Sequence, residues 1–392
     1  EKEGCAQTIS SDEAQARVDD EALPGGIITL NSLNKIGRSG NHFVTISAFF
    51  SMAFCCKSKM LLLPGQDNAF PTVDGRELDT PAETARWFDF SSNHTDSYGQ
   101  PLPRLPEFED LADRLDVCPP SRQFSGRDGF YLAGLHPDLA RCINRVFVRG
   151  CEAEYLGSVV DDGFLSCPLP ASPGRERTRT RRGLSDEERA AGARPLVIHV
   201  RSGDIFKPGS RPFPQYGQPP LHFYLSVLNS HNWSSVSIIT SPGMGYLNPV
   251  FTALEELAAQ GLLGPNVETF QERSFRTDLQ AMLCAENLVL ARSSLAFFLL
   301  GHSRARRFFL PTACGSGTHY RQDNRYGSKP ATANPDNSTL LCLQRPEAEV
   351  YGIEWSTTAD EYSVYESWKV TKAQLVEMVL TDEVEGIQRC CV

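Results

Sequence analysis

Long apolar runs are missing from this 392-residue sequence. The longest weakly polar stretch, Phe43 to Cys56, falls short of the ~20 residues that span a bilayer and is closed by Lys57 and Lys59, so no transmembrane helix is expected within it. Positive charge is also short: 38 Lys and Arg stand against 48 Asp and Glu, for a formal net charge of −10. A surface field of that sign repels phosphate backbones and excludes broad nucleic-acid binding, while leaving room for a small polyanion in a focused pocket. No D-x-D sequence occurs, which removes the usual carboxylate arrangement for holding a divalent cation against a nucleotide-sugar diphosphate. G-x-S-x-G and H-E-x-x-H are absent too, which argues against lipase-like and zinc-protease chemistry. The eight histidines show no short metal-ligand spacing, and no repeat of fixed period is found.

The composition that remains, 41% hydrophobic and 22% charged, is that of a globular protein with large cores. Single cores stop growing at about 250–300 residues, so two domains are expected. The twelve cysteines, at 5, 55, 56, 118, 142, 151, 167, 284, 314, 342, 390 and 391, contain no C-x-x-C pair or zinc-finger spacing. Three N-x-S/T sequons lie at Asn93, Asn232 and Asn337. Together they point to an oxidising compartment, against a reduced protein with buried thiols, and leave the disulfide connectivity open. The chain opens on Glu1 rather than Met, which leaves room for a signal peptide or anchor upstream; the expected setting is the lumen of the secretory pathway, Golgi or ER, as in the lumenal part of a type II membrane protein.

Residues 1–24 are polar and acidic without periodicity and are expected to be a flexible lead-in. A first domain is expected over 25–170, opening β-α-β: strand Gly26–Leu30, loop Asn31–Gly40, helix Asn41–Cys56 and strand Met60–Leu63. Residues 171–194, with five arginines before Asp186 to Glu188, are expected to form a solvated linker or loop. The second domain, 195–392, alternates strands Leu196–Val200, Val236–Thr240, Val267–Phe270, Leu288–Ala291 and Arg307–Leu310 with helices Leu221–Asn229, Pro249–Gln260, Arg276–Asn287 and Ser293–His302, and closes with a helix over Thr371–Leu380 whose apolar Leu375, Val376, Val379 and Leu380 fit docking back onto the body of the protein. Such alternation implies a parallel sheet with helices on both faces and ligands at the carboxyl ends of the strands. The loops that begin at Arg201, Ser241 and Arg292 are therefore candidate site loops.

Three local patterns suit an anion. Val197-Ile198-His199-Val200-Arg201-Ser202-Gly203-Asp204 is an apolar strand that delivers His, Arg and Asp to its carboxyl edge around a glycine. Arg201 can grip phosphate oxygens with its planar fork while Gly203 lets backbone amides approach; the competing reading is a local Arg201–Asp204 pair. Gly37-Arg38-Ser39-Gly40-Asn41 is a glycine-rich strand-to-helix turn, suited to an anion or to simple N-capping by Ser39 or Asn41. Arg292-Ser293-Ser294 opens a helix after a strand, where one serine suffices as a cap and two exceed what a cap needs.

In order and spacing, Gly-Arg-Ser-Gly-Asn at 37–41, His-Val-Arg-Ser-Gly-Asp at 199–204, and Asp278 followed by Ser293-Ser294 resemble the fucosyltransferase superfamily of α1,2-, α1,6- and protein O-fucosyltransferases, across residues 25 to 312 in outline. The resemblance implies an α/β, GT-B-like fold, two Rossmann-like domains facing a cleft, with the acceptor side in the first and the nucleotide sugar in the second. It implies an inverting, metal-independent transfer of fucose from GDP-fucose to a hydroxyl of a glycan or glycoprotein, with no cofactor. Carried over by motif, Arg201 binds the β-phosphate and stabilises departing GDP, and His199, with Gly203 and Asp204, lines the donor site. Asp278 reads guanine edges, Ser293 and Ser294 contact the pyrophosphate, and Arg38, Gly40 and Asn41 reach from the other domain toward fucose and acceptor.

Ser202 stands where α1,2- and α1,6-type enzymes carry a second arginine, so the phosphate grip rests on Arg201 alone or recruits another residue. No residue is singled out as catalytic base. Two alternatives keep the fold: a transferase using another GDP- or UDP-sugar, and a catalytically silent glycan-binding protein.

Overall fold

The computed structural model describes residues 6–10, 12–13, 16–17, 27–30, 39–62, 84–89, 118, 122–124, 136, 138–139, 142, 195–207, 218–241, 243–271, 273, 275–311, 348–353, 368–381 and 386–390. The architecture is mixed α/β, and the chain divides into two compact units, Glu1–Ser166 with Gln322–Ala331, and Cys167–Arg321 with Thr332–Val392. The Arg-rich segment 171–194 and most of 64–125 lie outside the described residues.

In the first unit β2 (Ile27–Leu30), α1 (Ser39–Cys55) and β3 (Lys59–Leu62) form the expected β-α-β crossover, with β2 and β3 parallel. The weakly polar run noted above is α1. From Ile46 to Cys56 every residue is buried, which is the pattern of a helix enclosed on all sides rather than one with a wet face. It ends in a Schellman motif: Ser58 N–H donates to Ala53 O and Lys57 N–H to Phe54 O, with Lys57 at φ 48 where glycine is the usual choice. Two disulfides, Cys55–Cys142 and Cys56–Cys118, tie this helix end to positions 87 and 62 residues further on. Closing loops of that length stabilises by about 4–5 kcal/mol each in the chain-entropy picture. Cys284 and Cys390 are bridged as well, and no described cysteine is free. These bonds are consistent with an oxidising, extracytoplasmic setting.

Three strands of this unit were not foreseen. β1 (Ala6–Ser10), inside the segment read as a flexible lead-in, pairs antiparallel with β4 (Thr84–Asp89), and β5 (Arg122–Phe124) runs parallel to β2. The sheet order is β1-β4-β3-β2-β5. In Ala6-Gln7-Thr8-Ile9-Ser10 one large apolar residue stands among small and polar ones, so an edge strand looks like a solvated segment until its partner is known.

The second unit carries β6 (Leu196–His199), α2 (Leu221–Ser230), β7 (Val236–Ile239), α3 (Pro249–Ala259), β8 (Val267–Phe270), α4 (Phe275–Leu283), β9 (Asn287–Leu290), α5 (Ser294–His302), β10 (Arg307–Leu310), β11 (Glu349–Gly352), α6 (Lys372–Leu380) and β12 (Gln388–Arg389). The seven strands lie in the order β12-β11-β10-β9-β6-β7-β8; six are parallel and β12 is antiparallel. Read from β8, the parallel strands follow the 3-2-1-4-5-6 order of a Rossmann-like sheet. Leu196, Ile198, Val289 and Phe309 share one core with Phe223 and Tyr224 of α2, Val250 and Phe251 of α3 and Met378 of α6. Their alternates Val197, Leu288, Leu290, Phe308 and Leu310 are buried too, which the period-2 alternation puts on the other face, where α4 meets β6 and α5.

Helix starts follow their capping chemistry. Asn248 caps α3 ahead of Pro249, Ser293 caps α5, and Thr371 with Gln374 forms a capping box on α6. Two expectations are corrected. The helix expected over Arg276–Asn287 ends at Leu283, because Asn287 already belongs to β9 and is fully buried there, its side chain donating to Pro195 O at 2.9 Å. On α6, Val376 and Leu380 are exposed, and the docking face is instead Gln374, Leu375, Met378 and Val379.

Trp368, just before α6, packs edge-on against Phe206 with ring centres 5.3 Å apart, and its Nε1 donates to Ile205 O at 3.0 Å. Its side chain thereby fixes the turn after β6 from the far end of the sequence. Trp368→Ala is expected to cost about 3–5 kcal/mol and Trp368→Phe about 1–3 kcal/mol, since the smaller change leaves only the Ile205 carbonyl unsatisfied; urea unfolding checks both.

Candidate functional site at the strand-order reversal

From β6 the chain steps outward to β7 and β8, then crosses back to β9 on the other side of β6. The strand order reverses between β6 and β9, and the crevice outside the carboxyl ends of such a strand pair is where open α/β sheets take ligands. The ladder carries the two ends into register: His199 faces Leu290, and Ala291 N–H donates to His199 O at 3.1 Å. Arg201 and Arg292 therefore leave the sheet at equivalent positions on neighbouring strands.

Past the ladder, each backbone carbonyl needs a new donor, and side chains from later loops supply it. The Thr240 hydroxyl donates to Val200 O at 2.9 Å, Asn248 Nδ2 to Arg201 O at 2.8 Å, and Gln218 Nε2 to Arg292 O at 2.9 Å. Ser202 Oγ lies 2.6 Å from Thr240 Oγ1. Thr240 has one proton and spends it on Val200, so Ser202 is the donor in that contact, turned into the protein and fully buried. An arginine at 202 would have no room in that orientation. Gly203 follows at φ 87, a conformation that favours glycine, and opens the short 3₁₀ turn Gly203–Phe206.

Arg201 donates to Asp204 at 2.7 Å, so the local ion pair is formed. Asp204 is nearly half exposed, and a pair in that setting is worth about 0–1 kcal/mol. His199, buried and with Nδ1 lacking a hydrogen-bond partner among the described residues, has its pKa driven down to about 3 by loss of hydration and then by the Arg201 charge. It is a neutral imidazole throughout the physiological range. Asp278, in the first turn of α4, is 3% exposed, and its pKa is pushed up to about 6 by burial against the opposing pull of Arg273, whose Nε is 3.5 Å away. Asp278 Oδ1 accepts no hydrogen bond from the described residues, and Arg273 is itself held over the Phe270 ring at 4.2 Å. α4 packs against β6, which brings Asp278 and His199 onto the same helix–strand layer.

Ser293 ends the neighbouring loop. Its oxygen accepts from Ala296 N–H at 3.1 Å, which is the single cap a helix needs, and its own proton remains available as a donor. Ser294 is the first residue of α5, and Gly40 and Asn41 lie in the first turn of α1; their side-chain surroundings, and Arg38 altogether, fall outside the described residues. The structure thus brings His199, Arg201, Gly203, Asp204 and Ser293 to one sheet edge, with Arg292 beside them. Gln218, Thr240 and Asn248 were not singled out from the sequence. Asn248 alone carried a signal, as an Asn-Pro pair at a helix start, and that signal spoke of capping rather than of Arg201. Among the described residues no group of His, Cys, Asp and Glu is arranged to hold a metal ion, and no helix is long and apolar enough to cross a membrane. Compared with family models, with curated proteins and with solved structures, the chain matches none.

The two perturbed groups make opposite pH signatures. For His199 the folded pKa lies below the ordinary 6.5, so the unfolded chain takes up the proton first and stability is lost as pH falls from 6.5 toward 3. For Asp278 the folded pKa lies above 3.8, so the stability it contributes is present below pH 3.8 and lost as pH rises through about 6. Chemical denaturation from pH 4 to 8 should therefore show His199→Gln gaining on wild type toward low pH, and Asp278→Asn gaining on wild type toward high pH, by roughly 1–3 kcal/mol at pH 8.

Proposed function

We propose that this chain is a glycosyltransferase that moves fucose from GDP-fucose to a hydroxyl of a glycan or glycoprotein, without a metal and with inversion. The observation that carries the reading is the placement of Arg201 and Arg292-Ser293 at the carboxyl ends of the two strands that flank the order reversal, with the amino terminus of α5 opening there. A diphosphate needs fixed positive charge and N–H donors at one point, and this edge carries two arginines, the buried Arg292 and the partly sheltered Arg201, with a helix start and a glycine turn. The weak Arg201–Asp204 pair supports it as well: a ligand of higher charge outcompetes an exposed carboxylate for the same fork.

On this reading the acceptor oxygen attacks C1 of fucose in line, the bond from C1 to the β-phosphate oxygen breaks, and GDP leaves with the electron pair. The acceptor proton passes to a base that we do not assign. Arg201 neutralises the charge that grows on the β-phosphate, and Arg292 supplies the second positive charge that Ser202, turned inward, does not. Ser293 and Ser294 donate to the pyrophosphate, and His199, kept neutral, packs beneath the donor without adding charge. Gly203 and Asp204 shape the loop around it. Asp278 accepts from the N1–H and N2–H donors of guanine; a buried carboxylate with an oxygen unsatisfied by described groups is costly to the fold and is repaid by such a ligand. The arrangement proposed for the whole is GT-B-like, two Rossmann-like domains facing a cleft, with Arg38, Gly40 and Asn41 on the acceptor side and the enzyme in the Golgi or ER lumen.

A thermal-shift series with GDP, UDP, ADP and CMP, each with and without EDTA, tests the nucleotide. GDP alone should raise the melting temperature, unchanged by EDTA, since a ligand at 100 times its Kd stabilises by about 2.7 kcal/mol. Arg201→Ala should abolish that shift and lower fucose transfer by about 10²–10³-fold with the fold intact. A shift with UDP, or only with metal, would discard the donor, and glycan binding without response to any nucleotide would leave a silent binding protein. Near-normal turnover of Arg201→Ala would overturn the mechanism.

A further inference from the structure

We infer that Asn232 is a site of N-linked glycosylation, acceptor for an oligosaccharide carried on a polyprenyl diphosphate. The sequon Asn232-Trp233-Ser234 occupies the five-residue connection between α2 and β7. Asn232 is exposed and its carboxamide forms no hydrogen bond to the described residues, while its neighbours are anchored on both sides. Trp233 turns inward: its Nε1 donates to Val227 O at 3.1 Å and its ring meets His231 at 4.9 Å and Phe309, edge-on, at 6.0 Å. Ser235 O accepts from Leu196 N–H at 2.9 Å, so the far side of the connection is stitched to β6. A loop with its central residue partly buried and packed against the core, and its asparagine turned out, presents that polar side chain to solvent and holds it there.

Position and compartment agree with this. The connection leads into the amino end of β7, and Arg201 follows the carboxyl end of the parallel neighbour β6, so the two lie at opposite edges of a sheet roughly 13 Å deep by strand rise. A bulky, hydrated glycan at Asn232 therefore covers neither Arg201 nor Arg292. The disulfides Cys55–Cys142 and Cys56–Cys118 form in the same oxidising lumen in which such transfer takes place. Asn93 and Asn337 lie outside the described residues, so the assignment is to Asn232 alone. In the transfer, Asn232 Nδ2 bonds to C1 of the reducing-end sugar, the bond from C1 to the phosphate oxygen breaks, polyprenyl diphosphate leaves, and the amide nitrogen gives up one proton. The inference is independent of the function proposed above.

The test is site-resolved mass spectrometry on the full chain directed into the secretory pathway of a eukaryotic host. The protein is treated with peptide-N-glycosidase in heavy-oxygen water, which converts a glycosylated asparagine to labelled aspartate. The peptide containing residue 232 should carry the label in most chains. Ser234→Ala should abolish that label and remove one glycosidase-sensitive step of gel mobility, with the Cys55–Cys142 and Cys56–Cys118 peptides still linked. Those linked peptides are the control for compartment and folding, so wild-type chains that contain both disulfides with residue 232 unmodified overturn the inference. Asn232→Gln keeps a similar polar side chain, and its melting temperature should match that of enzymatically deglycosylated wild type.

Discussion

The ladder between β6 and β9 ends at the bond from Ala291 N–H to His199 O, and most of what surrounds the candidate site follows from that ending. Both strands are central and buried on both faces, so the carbonyls that come next cannot be left to water. Three side chains distant in sequence close them: Thr240 on Val200, Asn248 on Arg201, and Gln218 on Arg292. Each bond contributes only about 1 kcal/mol net, yet leaving its acceptor bare costs about 1–3 kcal/mol. The same three bonds that satisfy the backbone fix where the two arginines leave the sheet. Asn248 serves twice, since its Oδ1 caps α3 through Val250 N–H while its Nδ2 holds Arg201.

His199, at the end of β6, and Asp278, on α4, gain little from their immediate neighbours. His199 is held neutral by burial and by the Arg201 charge, and Asp278 is buried with its charged form disfavoured. A fold selected for stability alone would place apolar residues at both positions. Burying two such groups is the kind of local conflict between stability and chemistry on which the proposed function draws.

Much of the second unit was legible because its signals are local. Short, largely apolar segments bounded by turn residues match β6 to β10, and the helix starts expected at Pro249 and Ser293 lie within a residue of those observed. What stayed hidden depends on contacts distant in sequence. Ala6–Ser10 becomes a strand only through Thr84–Asp89, and β11 forms against β10, and β12 against β11, across segments without periodicity. On α6 the pattern of Leu375, Val376, Val379 and Leu380 was read as one apolar face. The buried face instead includes Gln374, a polar residue that accepts from Lys369 and Thr371 N–H at the helix start, while Val376 and Leu380 face out. The candidate residues themselves were legible by type and spacing; the frame of Gln218, Thr240 and Asn248 was not, since nothing in a sequence says which amide closes a carbonyl 40 to 74 residues away.

The sequence left Arg201–Asp204 pairing and an anion grip as competing readings; the pair is formed, and under the function proposed above the two become successive states of one device. Arg201 is largely sheltered and Asp204 is nearly half exposed, so the pair sits at a boundary where the carboxylate retains most of its hydration. Breaking that pair therefore costs about 1 kcal/mol or less, and the Arg201 backbone stays held by Asn248. On the proposed reading, an arginine prepaired in this way is already oriented before a ligand arrives, so the entropy of ordering its side chain is spent in advance.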